Sequence, residues 1–290
     1  MQIVFHLGAH CTDDDRLLKC LLKNRDALAE HGIAVPEPDL YRKPLRETAL
    51  SLMGATASEE TQAYLLQEIL QGGPQDRIIL SWDSFMTSPQ GALRHMLYPN
   101  AGESMQAYTR IFPEAQVEFH LAIRNPVTFL PTLFRKQSGL SHEEFMTIDD
   151  PADLRWSDTI TNLRRHNPGV PITVWCDEDT PLIWPEVLEG ISRHPKGMEL
   201  AGSNDLLQSI MTEEGLTRMT TYIAGHPPQS PAQRRRIVSA FLDKFARREQ
   251  IEQEITMQGW NEELVDHCSA AYDRDMARII AMPDITAITA

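Results

Sequence analysis

Four short runs rich in β-branched and aromatic residues, Gln2 to Leu7, Arg77 to Trp82, Val117 to Ile123 and Pro171 to Cys176, are separated by long stretches with helical spacing. Strands held that far apart cannot pair through tight turns. They need crossover connections, which build a parallel sheet covered on both faces. The expected fold class is therefore α/β, a parallel sheet flanked by helices. After the first run come Leu17, Leu18, Leu21, Leu22 and Leu28 at helical intervals. Leu45 to Met53 and Glu59 to Leu70 repeat the pattern, the second closed by Gly72, Gly73 and Pro74. From about Thr180 to Ala281 helical runs alternate with Gly and Pro breaks, so the back half reads as helical.

Residues 1–290 read as one domain, with 230–290 as a helical C-terminal extension packed on it. The Pro-rich patch His226 to Pro231 is the sole linker signal. The stripe Ile237, Phe241, Phe245, Ile251 and Ile255 is of the kind that packs on a core or on a second copy of the chain, so homodimerisation through these helices is one expectation.

Composition narrows the function. A hydrophobic content of 42% can fill a large core, and a formal charge of -14 with pI near 5.1 argues against a nucleic-acid surface, which needs locally dominant Lys and Arg. No 18 apolar residues run together, so no membrane span is expected. Cys11, Cys20, Cys176 and Cys268 are scattered without a C-x-x-C pair, and Met1 to Gly8 lacks a basic start and a cleavage site. Both point to a reducing cytoplasm.

In open α/β sheets ligands bind beyond the carboxyl ends of the strands. Three segments lie there: His6 to Arg16, Ser81 to Ser84 and Arg124 to Phe134. The first supplies His6, Gly8, His10 and Thr12, followed by Asn24, Gly32, Ile33 and Pro36. The third supplies Arg124, Asn125, Pro126, Thr132 and Phe134. In this order, at these strand ends, the two segments resemble the bacterial sulfotransferase-like family of the P-loop fold. That family opens with His-x-Gly-x-His-Lys-Thr-Gly-Thr-Thr and carries a later Arg-Asn-Pro. The resemblance covers roughly the first half of the chain.

The resemblance implies a donor, phosphoadenylyl sulfate, and a hydroxyl acceptor on a small molecule or glycan. Its 5′-phosphosulfate would lie on Gly8, Ala9, His10, Cys11 and Thr12 with Arg16 nearby, and its 3′-phosphate on Arg124 and Thr132. No metal is expected. Sulfuryl transfer needs a base for the acceptor proton, and Asp83, or the imidazole of His10, is the candidate. The bland alternative for Asp83 is a cap of the next helix. His120 reads as a core histidine, and Asp177, Glu178 and Asp179 as a helix cap or an acceptor-site lining.

The chain departs from the family where the family carries its charge. Cys11 replaces the Lys, Asp13 the Gly, and Asp14 and Asp15 the two Thr. A carboxylate about 5 Å from a donor phosphate costs roughly 3 kcal/mol at an effective dielectric near 20, about a hundredfold in affinity. Alternatively the acids cap the first helix turn and pair with Arg16 or Lys19. Two further functions therefore stay open: a catalytically degenerate binding or scaffolding protein on the same fold, and a metal-assisted hydrolase using His6, His10, Cys11 and an Asp.

Overall fold

A computed structural model describes residues 1–290 apart from 138, 252–254 and 256. Strand β1 (Gln2–His6) leads through a buried loop into helices α1 (Arg16–Leu22) and α2 (Arg25–Ala29), and then into the two-residue strand β2 (Ile33–Ala34). Helices α3 (Pro38–Ser51) and α4 (Glu59–Leu70) precede β3 (Arg77–Ser81), and α5 (Ala101–Thr109) precedes β4 (Gln116–Ile123). Helices α6 (Pro126–Lys136), α7 (His142–Phe145) and α8 (Trp156–His166) follow, then β5 (Ile172–Cys176). The back of the chain holds α9 (Thr180–Ser192), α10 (Asp205–Ile210), α11 (Glu213–Gly225), α12 (Pro231–Phe245), α13 (Arg248–Ile251) and α14 (Glu262–Ile280), and ends in β6 (Ile285–Ile288).

All the strand pairs are parallel, in the order β2-β3-β1-β4-β5-β6. The four strands legible in the sequence are β1, β3, β4 and β5. Two further strands close the sheet. The segment 230–290 is not wholly helical: its last residues, Ile285 to Ile288, pair with Ile172 to Trp175. Four residues after a Pro and an Asp are too few to show periodicity, so tertiary pairing alone makes β6 visible.

Alternation splits the core. Ile3 and Phe5 of β1 pack into the larger apolar cluster, with Tyr41, Phe119 and Phe129, while Val4 packs into a second cluster with Leu17, Leu21, Trp175 and Trp184. The stripe Ile237, Phe241 and Phe245 lies against Leu207, Ile210, Met211 and Met219 of the same chain, and Ile251 and Ile255 are exposed. Gly102 marks a close helix contact, because a Cβ there would sit 2.4 Å from the Asn162 carbonyl oxygen of α8. Among the described residues no helix is long and apolar enough to cross a membrane, and all four cysteines are free.

The connection leaving β1 runs toward β2 and that leaving β4 toward β5, on opposite sides. The crevice between the carboxyl ends of β1 and β4 is thus the switch point at which a parallel α/β sheet takes ligands.

Candidate functional site

The loop from Leu7 to Asp15 fills that crevice. Gly8 (φ 44), Cys11 (φ 65), Asp14 (φ 49) and Asp15 (φ 61) all adopt left-handed backbone, which Gly takes freely and Asp more readily than most residues. Gly8, Ala9, Cys11 and Thr12 are buried, yet among the described residues their backbone N–H groups meet no acceptor. Buried amides of a native chain are nearly always paired, so a run of unpaired ones around a concavity marks a place for an anion.

The three acids of the loop turn to three different partners. Asp13 Oδ1 accepts the Leu17 N–H at 2.9 Å and so caps α1. Asp14 lies 2.8 Å from Lys136 Nζ, in the last turn of α6, and Asp15 lies 2.7 Å from Arg42 Nη2 of α3. Arg42 also donates to the Ser81 carbonyl at the end of β3. The cations come from α3 and α6, beyond the reach of local spacing; neither Arg16 nor Lys19 forms an ion pair with these acids.

Of the second segment, Asn125 accepts the Val127 N–H as the cap of α6, and Pro126 occupies its first turn. Arg124 donates from Nη1 to the Cys11 carbonyl oxygen and from Nε to Thr128 Oγ1 at 3.0 Å, with Asp177 at 4.0 Å. The end of β4 therefore clamps the β1 loop. Thr128, not Thr132, is the hydroxyl beside Arg124. Thr132 lies one turn further along, donates to the Thr128 carbonyl and lines neither cavity described below. Sequence spacing offered one signal for Thr128, its i,i+4 step from Arg124.

His10 is buried. Its backbone N–H and its Nδ1 both meet the Tyr98 hydroxyl at 2.8 Å, and burial lowers its pKa, so it is a neutral strut of the loop. Asp83 is exposed at the rim, where its carboxylate accepts from Ser84 Oγ at 3.0 Å. Its backbone passes under Gly8, 3.7 Å from where a Cβ would stand. Burial raises the Cys11 thiol to about 11, so it is neither a charge nor a thiolate at neutral pH.

Two cavities meet at the loop and share Thr12 and Asp13. The smaller, about 230 Å³, lies on the β3 side, lined by His6, Ser81, Asp83 and the loop. The larger, about 590 Å³, lies on the β5 side, with Arg16, Arg124, Trp175, Asp177 and Trp184 on its walls. Arg16 forms no ion pair among the described residues. Burial raises Asp13 to about 7, opposed by the Leu17 hydrogen bond, and raises Asp177 to about 8, opposed by Arg124.

His6, His10, Cys11 and the acids do not converge: His6 turns to Ser81, His10 to Tyr98, and each acid to its own donor. Among the described residues no three His, Cys, Asp or Glu side chains form a metal-binding group.

Fold and site together define an α/β protein with a two-chambered crevice at the carboxyl ends of its parallel strands. In comparisons with known proteins the chain matches no family model, no curated protein and no solved structure.

Proposed function

We propose that this chain is a sulfotransferase-like protein of the P-loop fold, which binds phosphoadenylyl sulfate and passes its sulfuryl group to a hydroxyl of a small molecule or glycan. The observation that carries the reading is the buried loop of unpaired amides at Gly8, Ala9, Cys11 and Thr12, clamped by Arg124 at the switch point. The anionic end of the donor lies on these amides. Its nucleoside body extends into the larger cavity, where Arg16 and Arg124 face phosphate and Trp175 and Trp184 offer apolar walls.

In the reaction the acceptor oxygen forms a bond to sulfur as the bond from sulfur to the donor's phosphate oxygen breaks. The acceptor proton passes to a base and adenosine 3′,5′-bisphosphate leaves. Asp83, on the rim of the smaller cavity, is the candidate base. The free cysteines fit a cytoplasmic place for this chemistry.

A second reading has its own support. Lys136 and Arg42 are tied to Asp14 and Asp15, and Cys11 carries no charge, as in a relative that binds nucleotide without turnover. Thermal stabilisation by adenosine 3′,5′-bisphosphate tests both. A rise in Tm that is lost in Arg124→Ala supports the fold-specific site, and sulfuryl transfer to a panel of hydroxyl acceptors then separates an enzyme from a binding protein. No nucleotide-dependent rise in Tm would overturn the proposal.

A further inference from the structure

The smaller cavity contains a group that the reading above does not use. His6, the last residue of β1, is 2% exposed, and its Nδ1 lies 2.8 Å from Ser81 Oγ, its register partner on β3. The ring is held on a second side by Trp175, stacked at 5.9 Å with planes 12° apart. Cε1 lies 3.7 Å from where a Cβ on Gly8 would stand, directly beneath the loop. The neighbouring ring nitrogen, Nε2, is buried without a partner. A buried polar atom left unpaired costs the fold a desolvation penalty, so an atom of this kind on the wall of a cavity is a place for a bound water, an ion or a ligand oxygen.

His6 has only neutral hydrogen-bonding to offer. Burial, reinforced by His120, lowers its pKa to about 3, so the imidazole is uncharged at any ordinary pH. The Ser81 hydroxyl, which meets no other side chain among the described residues, can donate to Nδ1, and in that tautomer the N–H sits on Nε2. The lining then offers donors from two directions, the amides of Gly8 and Ala9 from the loop and an imidazole N–H from the strand beneath it. They stand beside the carboxylates of Asp13, Asp14, Asp15 and Asp83, of which Asp14 and Asp15 are paired with Lys136 and Arg42 and Asp13 with the Leu17 N–H.

We propose that His6 is a ligand-contacting residue, with Nε2–H donating to an oxygen of a tetrahedral oxyanion, sulfate or phosphate, seated in the 230 Å³ cavity under the Gly8 loop. Ser81 is its positioning residue. The inference rests on the loop being an anion site, as in the reading above, but not on the anion belonging to a nucleotide.

The test uses the full chain labelled with ¹⁵N-histidine and titrated with inorganic sulfate and, separately, inorganic phosphate, the His6 signal being assigned by its absence in His6→Gln. The expected result is a saturable shift of the His6 Nε2 resonance while the His10 and His120 resonances stay in place. Affinity falls about tenfold or more in His6→Ala, the worth of one hydrogen bond to a charged group, and is largely kept in His6→Gln, whose amide N–H reaches the Nε2 position. Ser81→Ala, which leaves the ring in place, moves the tautomer equilibrium and weakens binding. An unmoved His6 resonance on anion binding, an affinity in His6→Ala equal to that of the parent chain, or no binding of either anion overturns the proposal. Anion binding with the His6 shift, but without adenosine 3′,5′-bisphosphate binding, leaves it standing and removes the sulfotransferase reading instead.

Discussion

Lys136 of α6 reaches across the mouth of the loop to Asp14, 2.8 Å away, and thereby returns a cation to the place where Cys11 supplies none. The pair holds Asp14 below the usual carboxylate range, chiefly through the Lys136 hydrogen bond. An oxyanion entering the loop competes with Asp14 for that ammonium. Asp14→Asn removes the competitor and its repulsion, and its affinity for sulfate is expected to rise about tenfold to a hundredfold, the scale of one like-charge pair near 5 Å. Lys136→Met should lower it. Isothermal titration with both variants checks the pair, and an affinity in Asp14→Asn at or below that of the parent chain would sink this account of the loop.

Asp13 and Asp177 give the large cavity a pH dependence. Their folded-state values, about 7 and about 8, stand above the ordinary Asp value, so between those limits the folded chain binds more protons than the unfolded one. Stability attributable to them is full at low pH and declines as pH rises toward 8, with no further loss beyond. Anion affinity follows the same sense, because both groups become negative over that interval. Nucleotide binding is expected to be tighter at pH 6 than at pH 8.5, and Asp177→Asn should flatten the curve. A profile unchanged in that variant would show that Asp177 does not face the bound anion.

Away from the crevice, Glu118 sits between Arg77, Arg193 and His120 on the same face of the sheet as His6. Burial alone would raise its pKa, but the His120 hydrogen bond and the two arginines outweigh it and the value is lowered. Its contribution is therefore complete above the ordinary glutamate range and disappears only as pH falls through the depressed value. Glu118→Ala leaves the buried Arg77 guanidinium without its counter-charge, and is expected to destabilise by about 3 to 5 kcal/mol in urea unfolding at pH 7.

The order of short strands and long crossovers was readable because its cause is local: β-branched runs between helical periods leave few topologies. Likewise, the placement of Gly8 and Arg124 at strand ends follows from where those runs stop. Sequence spacing could not show where the loop acids find their cations. Arg42 and Lys136 are brought to Asp15 and Asp14 by the packing of α3 and α6, across 27 and 122 residues. Ser81 and Tyr98 were invisible as partners of His6 and His10 for the same reason, and β2 and β6 are too short to show a period.

Tyr98 is the residue on which the shape of the loop depends most directly. Its ring is fully buried between Trp156 and Phe129, and its hydroxyl meets both the backbone N–H and Nδ1 of His10. Tyr98→Phe keeps the packing and deletes one oxygen, leaving two buried polar groups of His10 unpaired. The expected cost is about 1 to 3 kcal/mol. If the loop responds by turning His10 outward, the amides of Ala9 and Cys11 move with it, so the loss should appear in two measurements together: a lower Tm and weaker sulfate binding. His10→Phe separates the two, since it replaces the imidazole with an apolar ring against Tyr98 and keeps the backbone N–H bonded to the hydroxyl. That variant is expected to retain most of the sulfate affinity. If it loses as much as Tyr98→Phe, the His10 side chain itself contacts the anion and is more than a strut.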